Sequence, residues 1–546
     1  MEKSKKTIGQ YLIDRLYEMG IRHIFGIPGD YVLKFYKMVE KSKIKLVGTT
    51  REDCAGFAAD AYARVKGLGC VCVTYCVGGL NITNPVAGAF AEKSPVVVIS
   101  GAPGLKERQK NALLHHKVRE FTTQKEIFEK ITIASTVLDN PVTALKEIDR
   151  VLLAAIEYKR PVYIEIPRDM VDVHCLPIHE HPKPRESSSK ALFEAVEEAV
   201  SMINAGKRPV IMAGVEIHRY QLQNQLAELV NKTQIPICAS LLGKSVIRET
   251  HPLYFGIYEG SMGREEVSRY VDNSDCVIML GTFMTDIDFG IEPSRFDQSR
   301  CINATAEKIL IKYKHYEDVN FTDFINALVH GAIHRRPRPK LPQQNLNNKP
   351  FAPTGKAITV RRLFEGLNHY ISDDMVVVSD IGDCLFGAAD LVIKKRTEFL
   401  SPAYYTSMGF GIPAAVGAQL ASPKSRMLVI VGDGAFQMTG MELSTCVRLG
   451  LNPVVIVLNN HGYGTERHIL EGKFNDVTEW NYSKLPLIFS SGIGHKVKTE
   501  KEFVVALEMA LRHRGSFSIL DVDLDKMDHS PAMQRLGQRL ARMVQK

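Results

Sequence analysis

A strand-and-turn pattern that occurs twice constrains this 546-residue chain more than any other feature. Near the start, Ile21–Ile27 reads as a buried strand running into Pro28-Gly29-Asp30, and far downstream Val376–Ile381 reads as a strand ending in Gly382-Asp383. Pro95-Val-Val-Val-Ile99 returns as Pro453-Val-Val-Ile-Val457. Before each of these lies a strand with a glycine-rich end, Val71–Val77 with Gly78-Gly79 and then Val431-Gly432-Asp433-Gly434, followed by helical sequence. Short β-branched runs that alternate with helical stretches imply a parallel sheet with both faces covered by helices. Two such units predict two similar α/β domains flanking something different.

The ends of these units carry local signals. Thr7 can cap a helix with Ile8, Leu12 and Leu16 on one face, and Gly20 can end it. Residues 176–190 and 335–353 are rich in Pro and polar residues and read as linkers. Between them, Val210–Ala213, Ile235–Ala239 and Cys276–Leu280 read as strands of a third, Rossmann-like domain with few motif-like polar clusters, expected to serve packing. The expected architecture is therefore α/β, with three doubly wound parallel-sheet domains at 1–180, 190–335 and 353–546. This agrees with the roughly three or four domains that the length suggests.

Composition excludes several classes. With 45% hydrophobic and 24% charged residues, the chain is neither disordered nor fibrous, and it is no membrane bundle. A net charge of +8, from 69 basic and 61 acidic residues, is mild and names no nucleic-acid partner. Arg335, Arg336, Arg338 and Lys340 lie among prolines and read as a solvated linker. Ten scattered cysteines give no disulfide framework. Cys70, Cys72 and Cys76 share strand parity and read as small buried side chains. His174, Cys175, His179 and His181 look metal-like but fall in a linker. The N-terminus leads into an amphipathic helix and not an apolar signal core, so a cytoplasmic location is expected. Gly67–Ala91 and Phe399–Pro423 carry no charge at all, yet both contain Gly, Pro and polar residues; they are expected to be buried in protein and not in lipid.

The chemistry concentrates in Val431-Gly-Asp-Gly-Ala-Phe-Gln-Met-Thr-Gly-Met-Glu-Leu and Val457-Leu-Asn-Asn-His-Gly-Tyr463. Gly432 and Gly434 leave room for a phosphate against backbone N–H groups at a helix start. Asp433 offers a carboxylate oxygen and Asn460 an amide oxygen, a donor set that suits Mg²⁺ bridging to phosphate. One helix and one returning strand separate them, placing both at the C-terminal edge of adjacent parallel strands. Gly409-Phe-Gly411-Ile-Pro-Ala414 superficially resembles a dinucleotide fingerprint, but it follows no convincing strand and contains Pro.

Along nearly its whole length the chain resembles the thiamin diphosphate (ThDP)-dependent 2-oxoacid decarboxylases of the pyruvate decarboxylase superfamily. The resemblance implies that the first domain binds the pyrimidine, the third binds the diphosphate and the middle one separates them. It places Mg²⁺ on Asp433, Asn460 and the Gly462 carbonyl. It extends the cofactor contacts to Thr74, Asp383, Gly432, Gly434, Ala435 and Tyr463. Glu52, in Arg51-Glu-Asp-Cys-Ala-Gly-Phe, matches the cofactor-activating glutamate, although beside Arg51 it would otherwise read as half of a surface ion pair. Met408, in Thr406-Ser-Met-Gly-Phe410, matches the wedge that bends the cofactor into a V, with the Thr406 carbonyl and Met408 N–H on the pyrimidine.

The branch of the superfamily is set by His115-His116, taken as a pair following the first domain's third strand. Adjacent histidines ordinarily point opposite ways, and alone they would read as surface residues. Asp30 and Glu466 match the two catalytic carboxylates of non-oxidative decarboxylases, so four ionisable groups are expected around the reacting carbon. Asp30, His115 and His116 would supply the proton that releases the aldehyde, while Glu466 assists near the departing carboxylate. Leu385, Phe386, Thr465 and Ile469 are the expected substrate pocket. Leu385 stands where pyruvate-specialised members carry a large aromatic residue, and Thr465 stands where they carry Ile. The segment Phe474-Asn-Asp-Val-Thr-Glu-Trp480 also looks like the indolepyruvate and phenylpyruvate branch. Aromatic or long and branched aliphatic 2-oxoacids are therefore expected to outperform pyruvate. Asp286 is a further candidate, with a surface loop as its simpler reading.

The alternative is a carboligase of the acetolactate synthase type, against which the His pair and Glu466 count. A nucleotide-binding α/β protein without catalysis is the reading from another class. In this family the two halves of a cofactor site come from different subunits, which implies a homodimer at minimum and a homotetramer as the expected assembly. The charge-free windows are then expected to be buried where two subunits close over the cofactor.

Overall fold

The structure, a computed structural model, describes residues 6–109, 111–175, 181–288, 296–342, 350–394 and 399–536. The chain divides into two compact units. One comprises the chain up to Pro184 with Ile412–Lys424 and Thr439–Leu451; the other comprises Arg185–Gly411, Ser425–Met438 and the chain from Asn452.

In the first unit, β1 (His23–Gly26), β2 (Lys45–Gly48), β3 (Gly69–Val73), β4 (Val96–Ala102), β5 (Ala134–Val137) and β6 (Val162–Pro167) form one sheet in the order β2-β1-β3-β4-β6-β5. Every pairing is parallel. The inner strands β3, β4 and β6 are buried at every residue, as a sheet covered on both faces requires. The N-terminal helix Ile8–Glu18 begins as expected, with Thr7 Oγ accepting from the Gln10 N–H at 3.2 Å. It buries Ile8, Leu12 and Leu16, and Gly20, at φ +95°, turns the chain into β1.

The second unit holds two sheets. β7 (Pro209–Ala213), β8 (Ile237–Ala239), β9 (Tyr254–Ile257), β10 (Cys276–Leu280), β11 (Cys301–Ala304), β12 (Ile309–Ile311) and β13 (Lys314–Tyr316) run in the order β13-β12-β11-β10-β7-β8-β9. The sheet is parallel except at β12 and β13, which add an antiparallel edge. β14 (Met375–Ser379), β15 (Phe399–Leu400), β16 (Arg426–Gly432), β17 (Val454–Asn459), β18 (Ile493–Val497) and β19 (Ser518–Asp523) form a parallel sheet in the order β15-β14-β16-β17-β19-β18. This repeats the order of the first sheet strand for strand. The repeats seen in the sequence correspond to β1 with β14, β3 with β16 and β4 with β17.

Four expectations are corrected. The strand expected at Val71–Val77 stops at Val73, and Val77–Asn81 is a short helix. Cys76, at φ +49°, breaks the extended run and donates its N–H to Gln124 Oε1 at 2.6 Å, so it does not share a strand face with Cys70 and Cys72. The His pair follows the fourth strand in chain order, β4, because Lys45–Gly48 forms a strand too polar to stand out in the sequence. The Pro-flanked basic stretch is only partly solvated: Arg336 donates to the carbonyls of Ile203 and Gly206, each at 2.7 Å, and caps the end of the helix Ser189–Ala205. All ten cysteines are free and buried. His179 lies outside the described residues, while His181 Nδ1 pairs with Asp149 Oδ2 at 2.8 Å. Among the described residues, no helix is long and apolar enough to cross a membrane.

Candidate active site

In the second unit a cavity of about 330 Å³ opens beside the C-terminal ends of β14, β16 and β17. Its polar wall carries Asp383, Gly432, Asp433, Gly434, Ala435, Asn460, Gly462 and Tyr463. Thr406 and Met408 line it as well, and its apolar wall includes Leu385, Phe386, Thr465 and Ile469 beside Glu466. Every residue that the sequence assigned to the diphosphate, the metal, the wedge and the substrate pocket in this half of the chain therefore faces one space. Asp286, itself exposed, also lines it from a largely buried loop of the middle domain. The middle domain thus contributes to the site and does more than pack.

The glycine-rich turn is shaped by close approach. β16 ends at Gly432, and a Cβ built there would meet nothing within 4 Å, so the cavity is open at that point. Gly462, at φ +156°, could bear no side chain, because a Cβ would come within 2.1 Å of the Asn475 carbonyl oxygen. Asp433 is 1% exposed; its Oδ1 accepts the Gly434 N–H at 2.7 Å and its Oδ2 the Gly462 N–H at 3.0 Å. Burial nonetheless pushes its carboxyl up to about 6. A buried carboxylate whose hydrogen bonds, among the described residues, come from backbone amides, with the Asn460 amide and the Gly462 carbonyl beside it, is an oxygen donor set that fits a hard divalent cation. Arg467, 4% exposed, donates to the His461 carbonyl at 3.0 Å and braces this turn from behind.

Two further carboxyls hold the backbone around the cavity. Asp383 accepts the Ser530 N–H at 2.8 Å together with a short bond from the Ser530 hydroxyl, and burial raises its carboxyl to about 6. Asp380, fully buried at the end of β14, accepts from the N–H groups of Ile381 (2.9 Å), Gly409 (3.3 Å) and Gly411 (2.8 Å). It thereby clamps the turn that carries Met408, in which Thr406 at φ +55° and Gly409 at φ +85° are both left-handed.

The first unit holds the remaining candidates. Glu52 opens the helix Glu52–Lys66, and its Oε2 accepts from Asn81 Nδ2 at 2.7 Å. Arg51 pairs with Asp53 at 3.0 Å, so the surface ion pair forms without Glu52. The Thr74 hydroxyl is buried and has no hydrogen-bond partner among the described residues. Asp30, His115 and His116 converge, with ligand-type atoms all within 4.8 Å of one another. His115 Nε2 lies 2.7 Å from Asp30 Oδ2, and the two imidazoles meet edge to face with centroids 4.8 Å apart. Adjacent histidines do not point apart here, because His116 sits at φ +68°. Tyr31 stacks on His115 at 4.9 Å, and Arg168 Nη1 stands 3.6 Å from Asp30 Oδ2.

Sequence reasoning missed Asp380 and Asn81. Asp380 lies just outside a recognisable motif, and Asn81 contacts Glu52 only because Val77–Asn81 is helical and not a strand continuation. It also missed Met262, Ile287, Val360, Leu458, Leu524 and Leu536, apolar cavity residues without a local signature.

A repeated parallel sheet, a glycine-rich turn at a strand end and a carboxylate–amide donor pair define a thiamin-dependent enzyme. Models of the thiamine pyrophosphate enzyme match the chain in three parts: the N-terminal TPP binding domain at residues 6–127, the central domain at 196–329 and the C-terminal TPP binding domain at 380–522. The chain is 36% identical to an indole-3-pyruvate decarboxylase of Azospirillum brasilense, over 98% of both chains. It is 32% identical to an alpha-keto-acid decarboxylase of Mycobacterium tuberculosis, over 96% of this chain and 95% of that one. The chain belongs to the ThDP-dependent 2-oxoacid decarboxylase family.

Proposed function

We propose that the protein releases CO₂ and an aldehyde from 2-oxoacids with ThDP and Mg²⁺, and that it favours aromatic or long and branched aliphatic substrates over pyruvate. The observation that carries this reading is the convergence of Asp30, His115 and His116, a proton-transfer group that a carboligase of the acetolactate synthase type does not need. The indole-3-pyruvate decarboxylase among the relatives supports the aromatic preference.

Bound ThDP supplies a nucleophilic carbon and an electron sink. The chain supplies position and protons. Asp433, Asn460 and the Gly462 carbonyl would hold Mg²⁺, with Gly432, Gly434, Ala435 and Tyr463 around the diphosphate and Asp383 as a further cofactor contact. Thr406 and Met408 would seat the pyrimidine, with Thr74 as a further contact. Glu52 would keep a carboxylate on the pyrimidine nitrogen. Leu385, Phe386 and Ile469 exclude water where the substrate carboxylate loses its charge, which favours CO₂ release. Glu466, from the same wall, orients that carboxylate. Asp30 and the two histidines hold the proton that completes the aldehyde.

The assembly we propose is a homodimer at minimum and a homotetramer as the stable form, checked by light scattering. The deciding experiment is aldehyde release from a panel of 2-oxoacids with ThDP and Mg²⁺ supplied or withheld. A clear preference for pyruvate would overturn the specificity. Stoichiometric flavin in the purified protein, with coupling of two 2-oxoacids, would favour the carboligase.

A further inference from the structure

Glu52 has one carboxylate oxygen already engaged: Asn81 Nδ2 donates to its Oε2 at 2.7 Å. Asn81 ends the five-residue helix Val77–Asn81, which a buried network holds in place. Gln124, fully buried, accepts the Cys76 N–H at 2.6 Å through Oε1. Its Nε2 donates to Ser100 Oγ at 2.7 Å and to the Tyr163 hydroxyl at 2.6 Å. Tyr163 in turn donates to Glu165 Oε2 at 2.8 Å, and Arg108 holds Glu165 Oε1 at 2.8 Å. A Cβ on Gly79 would lie 2.0 Å from Gln124 Oε1, so the helix can sit against the amide only because Gly79 has no side chain. The left-handed Cys76 and the Leu80 N–H bond to the Cys76 carbonyl, at 2.7 Å, complete the turn. An amide mounted this firmly costs little entropy to keep on its target.

Resting on the reading of Glu52 as the cofactor-activating carboxylate, we infer that Asn81 is a positioning residue that fixes Glu52 through Oε2 and leaves Oε1 to face the pyrimidine. The amide donates to one carboxylate oxygen and so restricts rotation of the Glu52 side chain, which holds the other oxygen in one orientation toward the pyrimidine nitrogen.

The test compares wild type with Asn81→Ala and with Asn81→Asp, which keeps the shape and replaces the donor by an acceptor. Three quantities are measured: ThDP affinity by titration calorimetry, hydrogen–deuterium exchange of the thiazolium C2 proton across pH, and the Glu52 carboxyl infrared band in cofactor-free protein with Glu52→Gln as blank. In Asn81→Ala, C2 exchange should slow about tenfold, and the Glu52 carboxyl infrared band should change frequency as its hydrogen bond is lost. ThDP affinity should stay within about threefold. Asn81→Asp, which sets a second carboxylate against Glu52, should slow exchange further, and Asn81→Gln should recover part of the rate. Superimposable wild-type and Asn81→Ala profiles would overturn the role of Asn81. By contrast, wild-type protein that binds no ThDP, or that exchanges C2 no faster than free ThDP, would overturn the underlying reading of Glu52 and the inference with it.

Discussion

His115 Nε2 and Asp30 Oδ2 are 2.7 Å apart, and the left-handed backbone at His116 swings the second imidazole to 82° from the first. The pair is a hydrogen-bonded acid–base unit with a neighbour in reserve: His116 Nδ1 is buried without a partner among the described residues. Asp30→Asn keeps the shape of this unit and removes its exchangeable proton. Aldehyde release should fall by about 10²- to 10⁴-fold, the range for a lost general acid. ThDP affinity should hold, since none of the three residues belongs to the glycine-rich turn. Single-turnover measurement should show CO₂ appearing ahead of aldehyde, and equal losses in both would assign Asp30 to an earlier step.

Gly462→Ala should abolish cofactor binding. The new methyl would meet the Asn475 carbonyl at 2.1 Å and Arg467 Nη2 at 2.5 Å, at a φ of +156° that disfavours any side chain. Neither neighbour can yield easily, because Arg467 is buried and bonded to the His461 carbonyl. A cost of about 1–3 kcal/mol from overpacking alone is expected. Calorimetry with ThDP and Mg²⁺ should show no saturable binding, and Gly450→Ala, whose Cβ would meet nothing, serves as the control for left-handed strain by itself.

Asp380 makes the stability of cofactor-free protein depend on pH in a stated direction. Burial raises its carboxyl from 3.8 to about 6 despite three backbone donors. Between those values the unfolded chain is ionised while the folded one stays protonated, so stability is full below about pH 4 and is lost as pH rises through about 6. The loss is on the order of 3 kcal/mol at 1.36 kcal/mol per unit. Urea unfolding of wild type and Asp380→Asn at about pH 4.5 and about pH 7 isolates it. The variant should show a smaller decline between the two, and equal declines would show that the clamp on the Met408 turn does not titrate.

The legible parts of this protein were those with a local signature. Buried β-branched strands and their repeat were visible because a sheet covered on both faces writes continuous apolar runs, and the turn at Gly432–Gly434 because two glycines flanking an aspartate at a strand end form a short local pattern. Less legible were features decided by tertiary approach. Val71–Val77 has strand composition throughout, but the Gln124 amide, 48 residues from Cys76, ties down a turn after the strand ends at Val73, and Val77–Asn81 becomes helical. The His pair looked divergent because strand parity says nothing about a left-handed residue. Asp286 read most simply as part of a surface loop; the residue is exposed, but the loop around it is largely buried and borders the cavity.

Leu385 should set substrate size. It is fully buried, lines the cavity and lies in the first turn of the helix Asp383–Ala389, so its side chain bounds the space where a substrate's own side chain would lie. Leu385→Trp fills that volume, while Leu385→Phe is a smaller step that limits the strain of overpacking. A few lost methylene-sized contacts are worth about 1–3 kcal/mol in discrimination, or roughly 10- to 200-fold. The ratio of kcat/KM for phenylpyruvate to that for pyruvate should therefore fall at least tenfold in Leu385→Trp and by less in Leu385→Phe. Thr465→Ile, in the same lining, should act in the same direction, and the two should combine less than additively if they narrow one space. A ratio unchanged in all three variants would move the substrate side chain away from this wall, toward the one formed by Met262, Ile287 and Leu536.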